Sequence, residues 1–217
     1  MKTALVLFGQ DLRLEDNPAL YEAVKQGYVI VAVYVRDPSL DPPWWIGGAS
    51  SWWLHQSLCA LQEEIRSLGG ALILREGPLV DVVTALLQEA GACAVFWNRR
   101  VEPSWRKGLT LLQKRLEEQN IEVDASNGSY LVDPSQIFTG QGTYYKVFTR
   151  FWETAMKELE PIPLPLPIPK QLSFYQKQLK SACLESWNLV EHTIHWAEKM
   201  APFWTPGSAG AKKRLAQ

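Results

Sequence analysis

Residues 29–35 read VIVAVYV, seven apolar positions with no charge and no alternation. A run this short, rich in β-branched residues and apolar at every position, is a strand buried on both faces, which is the habit of parallel sheets covered by helices. Four more strand candidates, nearly continuous in apolar character, lie around it: TALVLF at 3–8, ALILR at 71–75, AVFWN at 94–98 and IEVDA at 121–125. Helical stretches separate them. Asn17 before Pro18 caps a first helix over 18–26 that Gly27 ends. Ser50 or Ser51 opens a second, with Trp53, Leu54, Ser57, Leu58, Leu61 and Ile65 at helical spacing and Gly69-Gly70 closing it. A third covers 79–89, and a fourth, starting at Pro103, covers 103–119. Strict β/α alternation with short connections predicts an α/β fold, a doubly wound, five-stranded, mainly parallel sheet of Rossmann-like or flavodoxin-like type.

The whole chain has 217 residues, 47% of them apolar and 21% charged, which excludes disorder and leaves ample material for a core. Its 22 basic and 23 acidic residues give a net charge of −1. No global field is present to hold a polyanion, so any nucleic acid would have to be held through another polypeptide segment. Cys59, Cys93 and Cys183 stand at no metal-ligand spacing and are expected as buried thiols in a reducing compartment. The first apolar run ends at Gln10, Asp11 and Arg13, too soon for a signal peptide or a membrane span. A cytoplasmic protein without a membrane partner is expected.

The pattern changes near residue 128. A short extended piece is expected at 130–132 (YLV), and from Pro161 to Pro169 proline takes every second position, favouring a stiff polyproline-type connector. The expected organisation is an α/β domain over 1–135, a terminal segment over 136–160, and a Pro-rich linker with an irregular, partly helical tail over 161–217. That tail carries Trp187, Trp196, Phe203 and Trp204, and either folds back over the α/β domain, docking 187–204, or belongs to a further domain.

In an open α/β sheet, ligands bind beyond the carboxyl ends of the strands. The loop GQDLRLEDNP after the first strand lacks G-x-G-x-x-G, and no P-loop or G-x-S-x-G occurs, so dinucleotide, P-loop and hydrolase chemistry are disfavoured. His55, His192 and His195 face no candidate nucleophile and are expected as satisfied structural histidines. What remains is charge at strand ends: Asp11 and Arg13, then Arg36 and Asp37, then Asn98, Arg99, Arg100 and Glu102, flanked by Trp44, Trp45 and Trp97. Such loops suit a flat polar heterocycle; equally, such charges cap helices or pair with one another.

The runs DLRLEDNPAL, GGASSWWLHQSLCAL, NRRVEP, NGSYLVDP and GQGTYYKVFTRFW, in this order and spacing, resemble the N-terminal α/β domain of the DNA photolyase/cryptochrome family over residues 3–152, and the likeness resumes at Trp204–Gly207 and AKKRL. The resemblance implies an antenna, light-harvesting role. In the family the catalytic FAD, the redox tryptophans and the DNA-binding face belong to a C-terminal helical domain. That domain, or an equivalent polypeptide, is the implied partner, with DNA reached only through it. A deoxyribodipyrimidine photolyase, repairing pyrimidine dimers with light, is implied for the whole protein, and this chain alone is expected not to be catalytic. The alternatives are cryptochrome-type signalling and a stand-alone nucleotide- or protein-binding module.

Departures from the family pattern bear on the pigment. Gly9 and Gln10 stand where two basic residues are usual, Ser51 where one often precedes the aromatic pair, and Ser104 and Trp105 replace the Asn-Glu pair of folate-binding relatives. The resemblance therefore implies a deazaflavin or flavin, with Arg36 and Asp37 on one side, Arg100 and Glu102 on the other, and Trp44 or Trp45 stacking.

Overall fold

The computed structural model describes residues 2–40, 46–158, 164–190 and 196–217. Trp44, Trp45, His192 and His195 lie outside the described residues, so the stacking expected of the tryptophan pair does too. Five strands, β1 (Thr3–Phe8), β2 (Val29–Arg36), β3 (Leu72–Glu76), β4 (Ala94–Asn98) and β5 (Glu122–Ser126), form one sheet in the order β3-β2-β1-β4-β5. Every pairing is parallel, with Leu5 opposite Val31 on one side and opposite Val95 on the other. The helices are α1 (Pro18–Lys25), α2 (Gly48–Ser67), α3 (Leu79–Ala90) and α4 (Pro103–Glu118), followed by α5 (Phe148–Glu158), α6 (Trp196–Met200) and α7 (Ser208–Leu215).

The uniform apolarity of β1 and β2 is explained by two separate cores. Val6, Ile30, Ala32 and Phe96 point to one face, under Leu20 of α1 and Leu58, Leu61 and Ile65 of α2. Leu5, Val31, Val33 and Val95 point to the other, under Val83 and Leu86 of α3 and Leu112 and Leu116 of α4. The strand order turns outward on either side of β1, which places the switch point at the carboxyl ends of β1 and β4.

The tail folds back along the sheet. Beyond the start of β3, Ile30 donates to Ser173 O at 2.8 Å and accepts from Tyr175 N at 2.9 Å, so the chain around Phe174 continues the parallel ladder. Gly70 makes this possible, because a Cβ there would lie 2.3 Å from the Phe174 ring. Further on, Ala182 N donates to Leu74 O at 2.8 Å and Ser181 Oγ accepts from Leu74 N at 2.9 Å, which covers the outer edge of β3. Phe174, Leu184, Trp187 and Leu189 are buried in the first core. Within the stretch expected to dock, Trp187 is buried, whereas Phe203 and Trp204 are 83% and 56% exposed.

Several local expectations are corrected. Helix α2 begins at Gly48, after Gly47, rather than at Ser50 or Ser51, and it buries Trp52 while Trp53 is 40% exposed. Residues 130–132 form no strand, since Tyr130 N turns back to Asn127 Oδ1. The cysteines are not all buried: Cys59 is half-buried, and Cys93 and Cys183 are exposed, because one precedes β4 at its open end and the other lies in the surface tail. His55 is not satisfied through both nitrogens, its buried Nδ1 having no hydrogen-bond partner among the described residues.

Candidate functional site

The carboxyl ends of β1, β2 and β4 open into a cleft of about 1230 Å³ that collects Arg36, Asp37, Arg100 and Glu102 from two different loops. Tyr34, Trp52, Trp53 and Trp105 supply its aromatic lining. Trp97, expected beside it, is instead buried under α3 and α4, because as a β4 residue it alternates onto the opposite face of the sheet.

The four charged residues do different work. Asp37 is 4% exposed, and its carboxylate is fully engaged: Oδ1 accepts from Ser39 N at 3.0 Å and Ser39 Oγ at 2.6 Å, while Oδ2 accepts from Leu79 N at 2.7 Å. Helix α3 has Pro78 at its N-cap and no side-chain cap of its own, so Asp37 serves as that cap from across the sheet. Arg36 donates to Trp187 O at 3.1 Å, lies 3.8 Å from Glu76 and places its guanidinium 5.8 Å from the Trp187 ring centroid. It therefore joins the end of β2 to the docked tail.

Arg100 and Glu102 form a two-bond pair, Nη2 to Oε1 at 2.7 Å and Nε to Oε2 at 3.3 Å. The guanidinium lies 3.9 Å from the centre of the Trp105 ring, on the first turn of α4. Burial pushes the Glu102 carboxyl up, but the hydrogen bonds from Arg100 and from backbone groups outweigh it and hold the group below its ordinary value. A flat, charge-neutral platform of guanidinium, carboxylate and indole thus faces the cleft.

Beneath it the strand-end residues Asn98 and Asp11 and the α1 cap Asn17 join in one hydrogen-bonded hub. Asn98, 5% exposed at the end of β4, donates to Asp11 Oδ2 and, at 2.8 Å, to Asn17 Oδ1, and accepts from Ala19 N at 3.1 Å. Asn17 itself caps α1 through Leu20 N at 3.1 Å. Arg13, counted among the strand-end charges, bonds Asp16 O at 2.9 Å and Gly128 O at 3.1 Å and so braces the loops. A single Asn at a strand end carries no periodic signal; only its position at the switch point could have marked it.

The model of the family described as DNA photolyase matches residues 4–170. The chain belongs to the DNA photolyase family. A deoxyribodipyrimidine photo-lyase of Agrobacterium fabrum is 37% identical over 217 residues, 99% of this chain and 44% of that protein. The crystal structure of a class III photolyase from Agrobacterium tumefaciens superposes with a TM-score of 0.91 at 35% identity, covering 100% of this chain and 44% of the other. An archaeal photolyase from Sulfolobus tokodaii, described with two FAD molecules and the implication of a novel light-harvesting cofactor, matches with a TM-score of 0.68 at 25% identity, over 80% of this chain and 38% of its own. This photolyase-family chain thus spans less than half the length of these relatives, and the portion it matches is the N-terminal one. Among the described residues, no His, Cys, Asp and Glu group could hold a metal ion, and no helix is long and apolar enough to cross a membrane.

Proposed function

We propose that this chain is the light-harvesting half of a photolyase-type protein and that its cleft holds a flat tricyclic pigment, a deazaflavin or a flavin. The observation that carries this is the Arg100–Glu102–Trp105 platform at the sheet's switch point, facing a cleft lined by Tyr34, Trp52 and Trp53. Its charges are already neutralised within the protein, so the affinity it offers is for a polarisable ring rather than for a string of phosphates. A bound pigment would supply absorption of light and transfer of that excitation. The protein's own part is to stack the ring, orient it by Arg100 and Glu102, and exclude water from one side. Asp37 and Arg36 hold the loops that shape the cleft, and we assign them to positioning.

In the whole protein we place FAD chemistry, repair of pyrimidine dimers and contact with DNA on a partner helical domain. The net charge of −1 supports that division, since it gives the chain no overall positive field to concentrate a polyanion. The reading is tested by equilibrium titration of the purified chain with an 8-hydroxy-5-deazaflavin, with riboflavin 5′-phosphate and with a methenyl folate. Saturable binding of a tricyclic compound is expected, weakened about ten-fold in Trp105→Ala by loss of one aromatic stacking contact. Equal binding by wild type and Trp105→Ala, or preference for the folate, would overturn it.

A further inference from the structure

The cleft has one wall that the sheet and its helices do not supply. After α6, the chain turns across α2 and enters α7, and Met200, Trp204, Gly207, Lys212 and Leu215 all face the cleft. Trp204 meets Trp53 edge-on at 5.7 Å and 87°, and Trp196 meets Trp52 at 6.4 Å. Ser208 Oγ and Glu64 Oε2 are 3.2 Å apart, and Lys212 Nζ pairs with Glu15 Oε2, joining the tail to the loop between β1 and α1. Gly207 is the point of closest approach: its φ is +92°, and a Cβ there would lie 2.7 Å from Cβ of Ala60. Helix α7 buries only Gly210, and Leu215 is 89% exposed.

We infer that the segment Trp196–Leu215 is a latch that retains the pigment, with the Glu15–Lys212 pair as its polar catch and Gly207 as the contact that lets it close on α2. This rests on the pigment-binding function proposed above. A surface segment held on the domain through two aromatic edges, a hydroxyl and an exposed ion pair can lift without unfolding the sheet. An ion pair with side chains 57% and 36% exposed is weak and is screened by salt, so release should quicken as ionic strength rises. Ligand entry and exit then pass between α7 and the β1–α1 loop, not through the core.

The test is the dissociation rate of pre-bound 8-hydroxy-5-deazaflavin from the full chain, followed by fluorescence after chase with excess unlabelled competitor. At low salt, Lys212→Gln and Glu15→Gln should each speed release about three- to five-fold, and the double variant no further, as befits one exposed pair. The wild-type rate should approach theirs at high salt. Gly207→Ala, which alters no charge, should release fastest, because it wedges the turn away from Ala60. Thermal midpoints of the two charge variants, both at exposed positions, serve as the folding control. Saturable binding with one common release rate in wild type and all variants would overturn the latch alone. No saturable binding by the wild type would remove the pigment function, and the latch with it.

Discussion

Replacing Asp37 by Asn separates a ligand contact from a scaffold contact with the loss of a single charge. Both carboxylate oxygens are occupied by donors, Ser39 N and Oγ on one and Leu79 N on the other. An amide keeps the shape but turns one oxygen into a donor, so whichever way it settles, one backbone N–H faces another N–H in a site that is 4% exposed. An orphaned buried donor costs about 1–3 kcal/mol, and losing the negative charge at the first turn of α3 adds roughly 0.3–1 kcal/mol. Together these amount to about 2–4 kcal/mol, which at roughly 2–4 °C per kcal/mol for a domain of this size lowers the thermal midpoint by about 4–16 °C. Differential scanning calorimetry of wild type and Asp37→Asn, paired with pigment titration well below both midpoints, reads the two effects independently. A lowered midpoint with unchanged affinity is expected. An unchanged midpoint with lost binding would refute the assignment of Asp37 to the scaffold and make it a pigment ligand.

Three further outcomes follow from particular contacts. Gly70→Ala should push the Phe174 ring off the sheet, costing about 1–3 kcal/mol as overpacking does, and should hasten proteolysis within 164–190; unaltered denaturation would mean that Phe174 does not need that niche. Burial, and then the 2.6 Å hydrogen bond to Glu122, push the Tyr28 phenol up to about 12 from 10.0. The folded state thus holds this proton more tightly, so the associated stability is complete below pH 10.0 and is lost as pH rises through about 12. In ultraviolet titration of Glu122→Gln, the most alkaline tyrosine should move only part-way down, because burial, the larger cause, remains; no movement would place the effect on burial alone. The purified chain supplemented with FAD should show no light-dependent reversal of pyrimidine dimers, and reversal above a dark control would contradict the division of labour between the two halves.

The sheet was legible because β1 to β4 are short, largely apolar runs rich in β-branched residues, too short for helices of ordinary length, whereas β5 carries Glu122 and Asp124 and is only partly buried. Strand ends are less legible: β3 and β5 each run one residue later than their apolar runs suggest, since Glu76 and Ser126 pair with Arg36 and Asn98 through backbone groups that do not depend on side-chain character. The docking of the tail through 187–204 was considered from its large aromatic side chains, but its pairing with the sheet upstream of them was not legible. Its hold on β2 and β3 is backbone pairing around Phe174 and Ala182, in a stretch with no periodic apolar pattern. The four residues assigned to the pigment, Arg36, Asp37, Arg100 and Glu102, line one cleft, but the sequence could not tell that Asp37 is consumed by Leu79, whose position 42 residues away depends on the sheet order. Trp52 and Trp53 are adjacent and chemically equal, and only the tertiary packing of α2 decides that the first is buried and the second is 40% exposed. Helix α5 was not anticipated within the terminal segment over 136–160, and it buries Ala155 alone among its described side chains, so its own sequence does not reveal what it packs against.

The central claim, that the switch-point cleft is a pigment site, is tested most directly by a crystal structure of this chain grown with an 8-hydroxy-5-deazaflavin. The tricyclic ring should lie in the cleft against the Arg100–Glu102–Trp105 platform, with Tyr34 and Trp52 on the far side, α7 closed over it, and Asp37 still bound to Leu79 N. A ring bound elsewhere on the surface, or a cleft that stays free of pigment while the compound is taken up by another part of the chain, would contradict it.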